Sequence, residues 1–305
     1  MKRLLDCSSS EFATMAKTDI IESIAASEGR VIVSEVIGVY QPVLVNISNA
    51  ELACAFGADI ILLNMFDTHN PVFNGIPKVK NDDIIHEIKH LTGRLIGINL
   101  EPVDENEETI GEISKIPEGR KATVENANKA YEMGCSIVLL TGNPGTGVSN
   151  RQIINTLKSI HEKLGNKLVL AAGKMHAAGS LKESGENIIK ESEIKEFIAA
   201  GADIILLPAP GTVPGITLEY VKKLVSYCHE SGVLTLTSIG TSQEGADSAT
   251  IKNLALMCKM TGTDMHHIGD SGCAGIAIPE NIMDYSIAIR GRRHTYSRIA
   301  RSINR

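Results

Sequence analysis

Eight short runs of apolar, largely β-branched residues are spaced along the sequence, and they constrain the fold more than any other feature. They are Val31–Val36, Asp59–Asn64, Leu95–Leu100, Ser136–Thr141, Leu168–Ala172, Asp203–Pro208, Leu234–Ser238 and Asp264–Gly269. Between them lie segments with helical spacing, such as Asn49–Phe56, Thr123–Met133, Arg151–Leu164, Glu191–Ala200, Thr217–Ser231 and Ser248–Thr261. Runs that are continuously apolar rather than alternating belong to strands buried on both faces, as in a parallel sheet sheathed by helices. Eight such units predict a single (β/α)8 TIM barrel over residues 31–305. An N-terminal helical extension over 1–30, helical from about Ser9 to Ser27, precedes it.

The connections support this reading. Helix-to-strand links are short and carry a glycine, as at Gly57, Gly93, Gly134, Gly201, Gly232 and Gly262, where a helix C-cap is expected. Strand-to-helix links are long, notably 65–81, 101–120 and 173–190. One short and one long rim is how barrel enzymes divide stability from function. The heptapeptide Gly57–Leu63 recurs identically as Gly201–Leu207, with Ser48 and Ser192 at equal distances before it. Such a repeat four strands apart fits half-barrel pseudo-symmetry, or two independent solutions to one local problem.

Length alone, 305 residues, allows two domains, but eight strand–helix units use most of it. Aromatics are only 4%, so the core must be built from Ile, Leu, Val and Ala. There is no run of about 18 apolar residues to span a membrane. The first dozen residues lack the apolar stretch of a secretory signal. The six cysteines are scattered without a CxxC pair, which favours reduced thiols in a cytoplasm. A net charge of −6 argues against nucleic acid as a partner.

In a barrel the chemistry comes from the C-terminal strand ends. Those ends carry Glu35, Asn64, Asn99 with Glu101, Thr141-Gly142-Asn143, Lys174 with His176, Pro208–Thr212, Ser238–Ser242 and Gly269–Gly272. Glu35 closes an apolar strand and needs a partner or ligand to justify its burial. Glu35, Glu101 and Asp270 are candidate proton carriers, or oxygen ligands for a divalent cation. Lys174 is a candidate to trap or polarise a carbonyl, and His176 to act as an acid–base group. The loops Gly240-Thr241-Ser242 and Gly269-Asp270-Ser271-Gly272, after strands seven and eight, are where phosphate-binding barrels hold an anion.

Other features compete with bland explanations. Gly142–Ser149 nearly spells a P-loop, but Val148 stands where the phosphate-reaching lysine belongs, so a turn into a helix capped by Ser149 fits better. Asp67 and His69 sit on the long second loop as candidates for a lid or a site component. Of His266 and His267 in strand eight, one should face the barrel axis and the other the helices. The arginines at 290, 292, 293, 298, 301 and 305 suit a solvated closing helix or an acidic partner.

Val138–Gly147 is similar to a strand-end signature of the BtpA-like barrel family, and Leu168–Gly173 resembles that family's next strand. The paired loops after strands four and eight resemble those of the histidine-biosynthesis half-barrel enzymes, which bind a substrate with two phosphates. Those enzymes carry aspartates where this sequence has Glu35 and Lys174. The resemblance implies a phosphate-binding type of barrel and an anionic ligand.

Together these readings predict a cytoplasmic, homo-oligomeric enzyme of lyase or isomerase type. Its substrate would be a small phosphorylated or carboxylated metabolite whose anion is held by Gly240, Thr241, Ser242, Gly269, Ser271 and Gly272. A metal-assisted hydrolase at the same mouth is the second reading. A non-catalytic binding or assembly factor acting through the basic C-terminal helix is the third.

Overall fold

The computed structural model describes residues 2–104, 115–142, 144–176 and 184–305. Eight parallel strands close into one barrel in sequence order: β1 Val31–Ile37, β2 Ile60–Asn64, β3 Leu95–Leu100, β4 Ile137–Leu140, β5 Val169–Gly173, β6 Ile204–Pro208, β7 Leu234–Ile239 and β8 Met265–Ile268. Followed once round from Val33, the strand register returns eight residues earlier, the shear of a TIM barrel.

Around it run α1 Ser9–Phe12, α2 Lys17–Ala25, α3 Asn49–Ala55, α4 Ile84–Thr92, α5 Val124–Glu132, α6 Asn150–Leu164, α7 Glu191–Ala199, α8 Leu218–Glu230, α9 Ser248–Thr261 and α10 Pro279–Ile299. The single N-terminal helix expected from 9 to 27 is two helices, because Asp19 accepts from the Ala16 amide and starts α2 afresh. Ser48 caps α3 through the Glu51 amide, whereas Ser192 lies inside α7, so the two serines are not structurally equivalent. Among the described residues, no helix is long and apolar enough to cross a membrane.

Two apolar layers follow from the strand period of two. Val33, Ile60, Leu62, Leu95, Ile137, Leu139, Val169, Ala171, Ile204, Leu206, Leu236 and Met265 fill the barrel axis with aliphatic side chains. Their alternates, such as Ile32, Ile61, Ile96, Val138, Leu170 and Ile205, pack beneath the helices. The inward parity, continued past the apolar layers, decides which residues reach the mouth.

At the N-terminal end of the barrel apolar Leu4, Phe12, Ile20 and Ile24 pack with the axial layer, and a buried charge cluster lies at the start of β2. Asp59, fully buried, accepts from Arg290 Nη1 at 2.5 Å, Arg298 Nε at 2.7 Å and the Ile32 amide at 2.8 Å. Arg94 lies beside them, donating to the carbonyls of Ala58 and Arg298. Burial alone would raise the Asp59 carboxyl, but Arg290 and Arg298 overcome it and hold it below the ordinary aspartate range. The helix α10 breaks at Gly291, whose φ of 74° suits glycine alone, between the two arginines that grip Asp59. These arginines of the basic segment are therefore structural rather than exposed to a partner.

Candidate active site

The C-terminal strand ends open into a cavity of about 340 Å³. Its floor is set by inward parity. Glu35 lies on the inward row of β1, Asn64 ends that of β2, Asn99 that of β3, Ser238 that of β7 and His267 that of β8, and all five line the cavity.

These side chains form one chain of contacts. Asn99 donates its amide to Glu35 Oε1, while His267 Nε2 lies 3.1 Å from Glu35 Oε2. On the other edge of the ring, His267 Nδ1 is 2.6 Å from Ser238 Oγ. The imidazole is thus hydrogen-bonded at Nδ1 to the Ser238 hydroxyl, while its buried Nε2 faces the Glu35 carboxylate without a formed hydrogen bond. His266 points the opposite way, its Nε2 3.0 Å from the Gly29 carbonyl and its ring edge-on to Tyr285; burial pushes it down to about 4.

Asp270 follows β8 directly. Its Oδ2 accepts from Asn64 Nδ2 at 2.9 Å and its Oδ1 from Ser271 Oγ at 3.3 Å. Burial, reinforced by the charge of Glu35, pushes its carboxyl up to about 7. Glu101, just beyond β3, pairs with Arg120, and burial raises its carboxyl despite that partner. Arg120 is brought there because the stretch before α5 pairs with Glu101, whose amide donates to the Arg120 carbonyl at 3.0 Å. His176 lines the opposite wall; burial lowers it, against the pull of Glu35.

Strain concentrates at the mouth. Among the described residues four non-glycine residues have positive φ, and three of them, Met65, Thr241 and Ser242, line the cavity. Each such conformation costs about 1–3 kcal/mol and persists where surrounding contacts over-determine it.

Of the residues expected from sequence, Glu35, Glu101, His176, Asp270, Gly240, Thr241, Ser242, Gly269 and Ser271 line the cavity. Gly272 does not, and neither does Lys174. Lys174 is fully buried one residue beyond β5, on the parity of Leu170 and Ala172, which face the helices. Val169 and Ala171 share the parity of Gly173 and Met175, so Met175 reaches the mouth instead. Asp67 and His69 are likewise absent from it: Asp67 Oδ1 accepts from the amides of His69 and Asn70 in a local turn.

The loops expected to cradle an anion are occupied differently. The Gly240 amide donates to Thr212 Oγ1 and the Gly269 amide to the Ile239 carbonyl. The Ser271 amide donates at 3.0 Å to Oε1 of Glu244, a buried carboxylate of the chain itself. A Cβ on Gly269 would lie 2.9 Å from that oxygen, so only glycine lets the carboxylate in so close. In the P-loop-like segment Asn143 lies outside the described residues, Val148 is buried and bridged to Val103, and Ser149 caps α6 through the Gln152 amide.

Sequence reasoning missed three members of the site: His267, Arg120 and Glu244. The inward parity of Met265 marks His267, but nothing in the sequence marks the two loop residues.

Residues 5–305 match the model of a family described as a domain of unknown function, DUF7916. The chain belongs to this family. No curated protein matches it in sequence. Among solved structures, it is similar to the carboxyl transferase domain (Y628A) of Rhizobium etli pyruvate carboxylase with pyruvate, at 12% identity and a TM-score of 0.54. That likeness covers 96% of this chain and 53% of the other, so this chain spans about half the length of that one. The YdjI aldolase from Escherichia coli K12 is 10% identical, with 91% of this chain and 95% of that one covered and a TM-score of 0.50. Thiamine phosphate pyrophosphorylase from Pyrococcus furiosus is 14% identical over 87% of this chain and 98% of its own, at a TM-score of 0.48. At these identities the likeness is one of fold.

Proposed function

We propose that this DUF7916 protein is a small-molecule enzyme of lyase or isomerase type that moves a proton at a carbon next to a carbonyl or carboxylate. The observation that carries this reading is the placement of one imidazole: His267, hydrogen-bonded to Ser238 and with its unpartnered Nε2 3.1 Å from Glu35, faces the cavity beside Asp270, whose carboxyl is raised to about 7. A general base and a general acid within reach of one substrate are what proton transfer in both directions requires.

In this mechanism the His267–Glu35 unit takes the proton from carbon, and the electron pair moves onto the carbonyl oxygen as an enolate. Arg120 Nε is buried without a protein hydrogen-bond partner, and it offers a donor to that oxygen. Asp270 returns a proton to the same or a neighbouring carbon; in the lyase form the His267–Glu35 unit takes the proton of a β-hydroxyl instead, the carbon–carbon bond breaks to release an aldehyde or ketone, and its electron pair becomes the enolate that Asp270 protonates. Lys174, which is not among the described cavity-lining residues, is given no role in this reading.

Among the described residues no three His, Cys, Asp or Glu side chains are grouped to hold a metal. His267 at the cavity floor favours proton transfer over the hydrolase reading. A closed mouth with an exposed apolar patch near 290–305 would favour the assembly-factor reading; the open cavity and the buried Arg290 and Arg298 speak against it.

The test is proton exchange. The protein is incubated in D2O with a panel of small oxo, hydroxy and amino acids, and carbon-bound deuterium is followed by NMR. We expect label to enter at least one of them, with the rate falling about 10²–10⁴-fold in Glu35→Gln and His267→Ala. No exchange across the panel, or exchange indifferent to both variants, overturns the reading.

A further inference from the structure

The β7–β8 side of the mouth contains a buried carboxylate that the protein leaves half-served. Glu244 is only 2% exposed and sits in the tight turn after β7, where Asn281 Nδ2 holds its backbone carbonyl at 2.9 Å. Oε1 accepts the Ser271 amide, but Oε2 has no hydrogen-bond partner, although Glu244 lines the cavity. A carboxylate has room for about four donors, and one left buried with a single amide is costly unless something else arrives.

Across the mouth Asn99 Oδ1 is also buried and unpartnered, its amide nitrogen being spent on Glu35. Both are acceptors, and an orphaned donor of the cavity, Arg120 Nε, belongs to the side chain paired with Glu101 beyond β3. What Glu244 lacks on the β7–β8 side is therefore a hydrogen-bond donor.

Charge narrows the donor further. Glu35, Glu101, Glu244 and Asp270 all line the cavity, and Arg120, already paired with Glu101, is the one lysine or arginine among its described lining residues. Asp270, next to the Glu244-bound amide, is served only by the neutral groups of Asn64 and Ser271. A phosphate placed against the Ser271 amide would meet both carboxylates. A neutral hydroxyl would fill Oε2 but leave the repulsion among the acids untouched.

We propose that Glu244 and Asp270 form an ammonium subsite, which receives a protonated primary amine of the substrate on the β7–β8 side of the mouth. This deepens the proton-transfer reading and rests on the same cavity. Glu244 is then the specificity-determining residue, turning what is an anion cradle in other barrels into a cation cradle.

One further expectation follows from the charges around Asp270. Burial and the charges of Glu35 and Glu244 raise its carboxyl, while Asn64 and His267 pull the other way. An ammonium seated beside it lowers that carboxyl, so binding at neutral pH releases a proton.

The probe pair is ethanolamine against ethylene glycol, which differ by the charged group. Calorimetry and thermal shift at neutral pH should show ethanolamine binding and protecting the wild-type protein, with ethylene glycol inert. Glu244→Gln should weaken ethanolamine about tenfold or more, the loss expected for a charged hydrogen bond. Titrating the wild-type protein in two buffers of different ionisation enthalpy should show proton release, a readout that needs no variant. Equal protection by ethylene glycol overturns the proposal, as does stronger protection by inorganic phosphate or by Mg²⁺ alone. Failure of ethanolamine to bind, or binding without proton release, also overturns it. Because these are binding measurements, amine capture without deuterium exchange would sink the enzymatic reading alone, and exchange without amine capture would sink this one alone.

Discussion

At the N-terminal end of the barrel the carboxylate of Asp59 is enclosed by Arg290 and Arg298 with Arg94 beside them. At the C-terminal end four carboxylates, Glu35, Glu101, Glu244 and Asp270, line the cavity with one arginine, Arg120. The first arrangement leaves the Asp59 carboxylate fully served, and its carboxyl is held low. The second leaves acceptors unfilled, and the carboxyl of Asp270 is driven up. The same chemical group thus locks one end and stays primed at the other, and what differs is the supply of guanidinium groups. Backbone strain divides the same way, with Met65, Thr241 and Ser242 all at the mouth.

The repeated heptapeptide puts the contrast in its purest form. Asp59 and Asp203 begin identical strands and each accepts the amide of the preceding strand, Ile32 or Leu170, at 2.8 Å. Asp203, however, is paired with Lys17 at 2.7 Å and its side chain is 17% exposed, whereas that of Asp59 is 0% exposed. Identical sequence makes the same local cap, and tertiary surroundings decide how much rides on it.

The comparison breaks most directly at Asp59. Asp59→Asn strands two buried guanidinium groups, so urea denaturation should show a loss of about 3–5 kcal/mol or failure to fold. A loss below about 1 kcal/mol would mean that the arginines are solvated and the end is not locked.

At the mouth the expected sign reverses. Asp270 has a carboxyl raised from 3.8 to about 7, so the folded protein holds a proton that the unfolded chain gives up earlier. That contribution is complete below the unfolded value and is lost as pH rises through the folded one. Asp270→Asn should therefore match the wild-type protein in acid, gain on it across that window and stay level above it, by roughly 1–3 kcal/mol. A pH-independent difference in melting temperature would refute the assignment.

The smallest effect belongs to Asp203→Asn, which keeps an acceptor for Leu170 and loses only the charge facing Lys17. About 0.5–1 kcal/mol is expected. A loss equal to that of Asp59→Asn would erase the distinction between the two copies.

The barrel was legible in the sequence because parallel strands buried on both faces must be continuous aliphatic runs. All eight runs are strands, displaced by at most one residue at either end. Glu35 and Asp270 were legible because a carboxylate at the end of such a run has few other reasons to be there. Lys174 was misplaced because adjacency to a strand end says nothing of parity, and Ala171 inward sets Lys174 outward. Arg120 and Glu244 were not legible, since each reaches the cavity by a loop geometry that only the closed barrel fixes. The fold of α10 back onto Asp59 was equally hidden: a run of arginines gives no sign of a partner more than 200 residues earlier.

That last link has a consequence in time. Arg298 and Asp59 are separated by 239 positions, so a growing chain carries the acid of β2 long before its second guanidinium has been made. Until α10 is synthesised, the carboxylate at the start of β2 has Arg94 beside it but neither guanidinium that grips it, and cannot be buried at low cost. Low-cost burial of the start of β2 thus awaits α10, which acts as the latch on a door hung some 240 residues earlier.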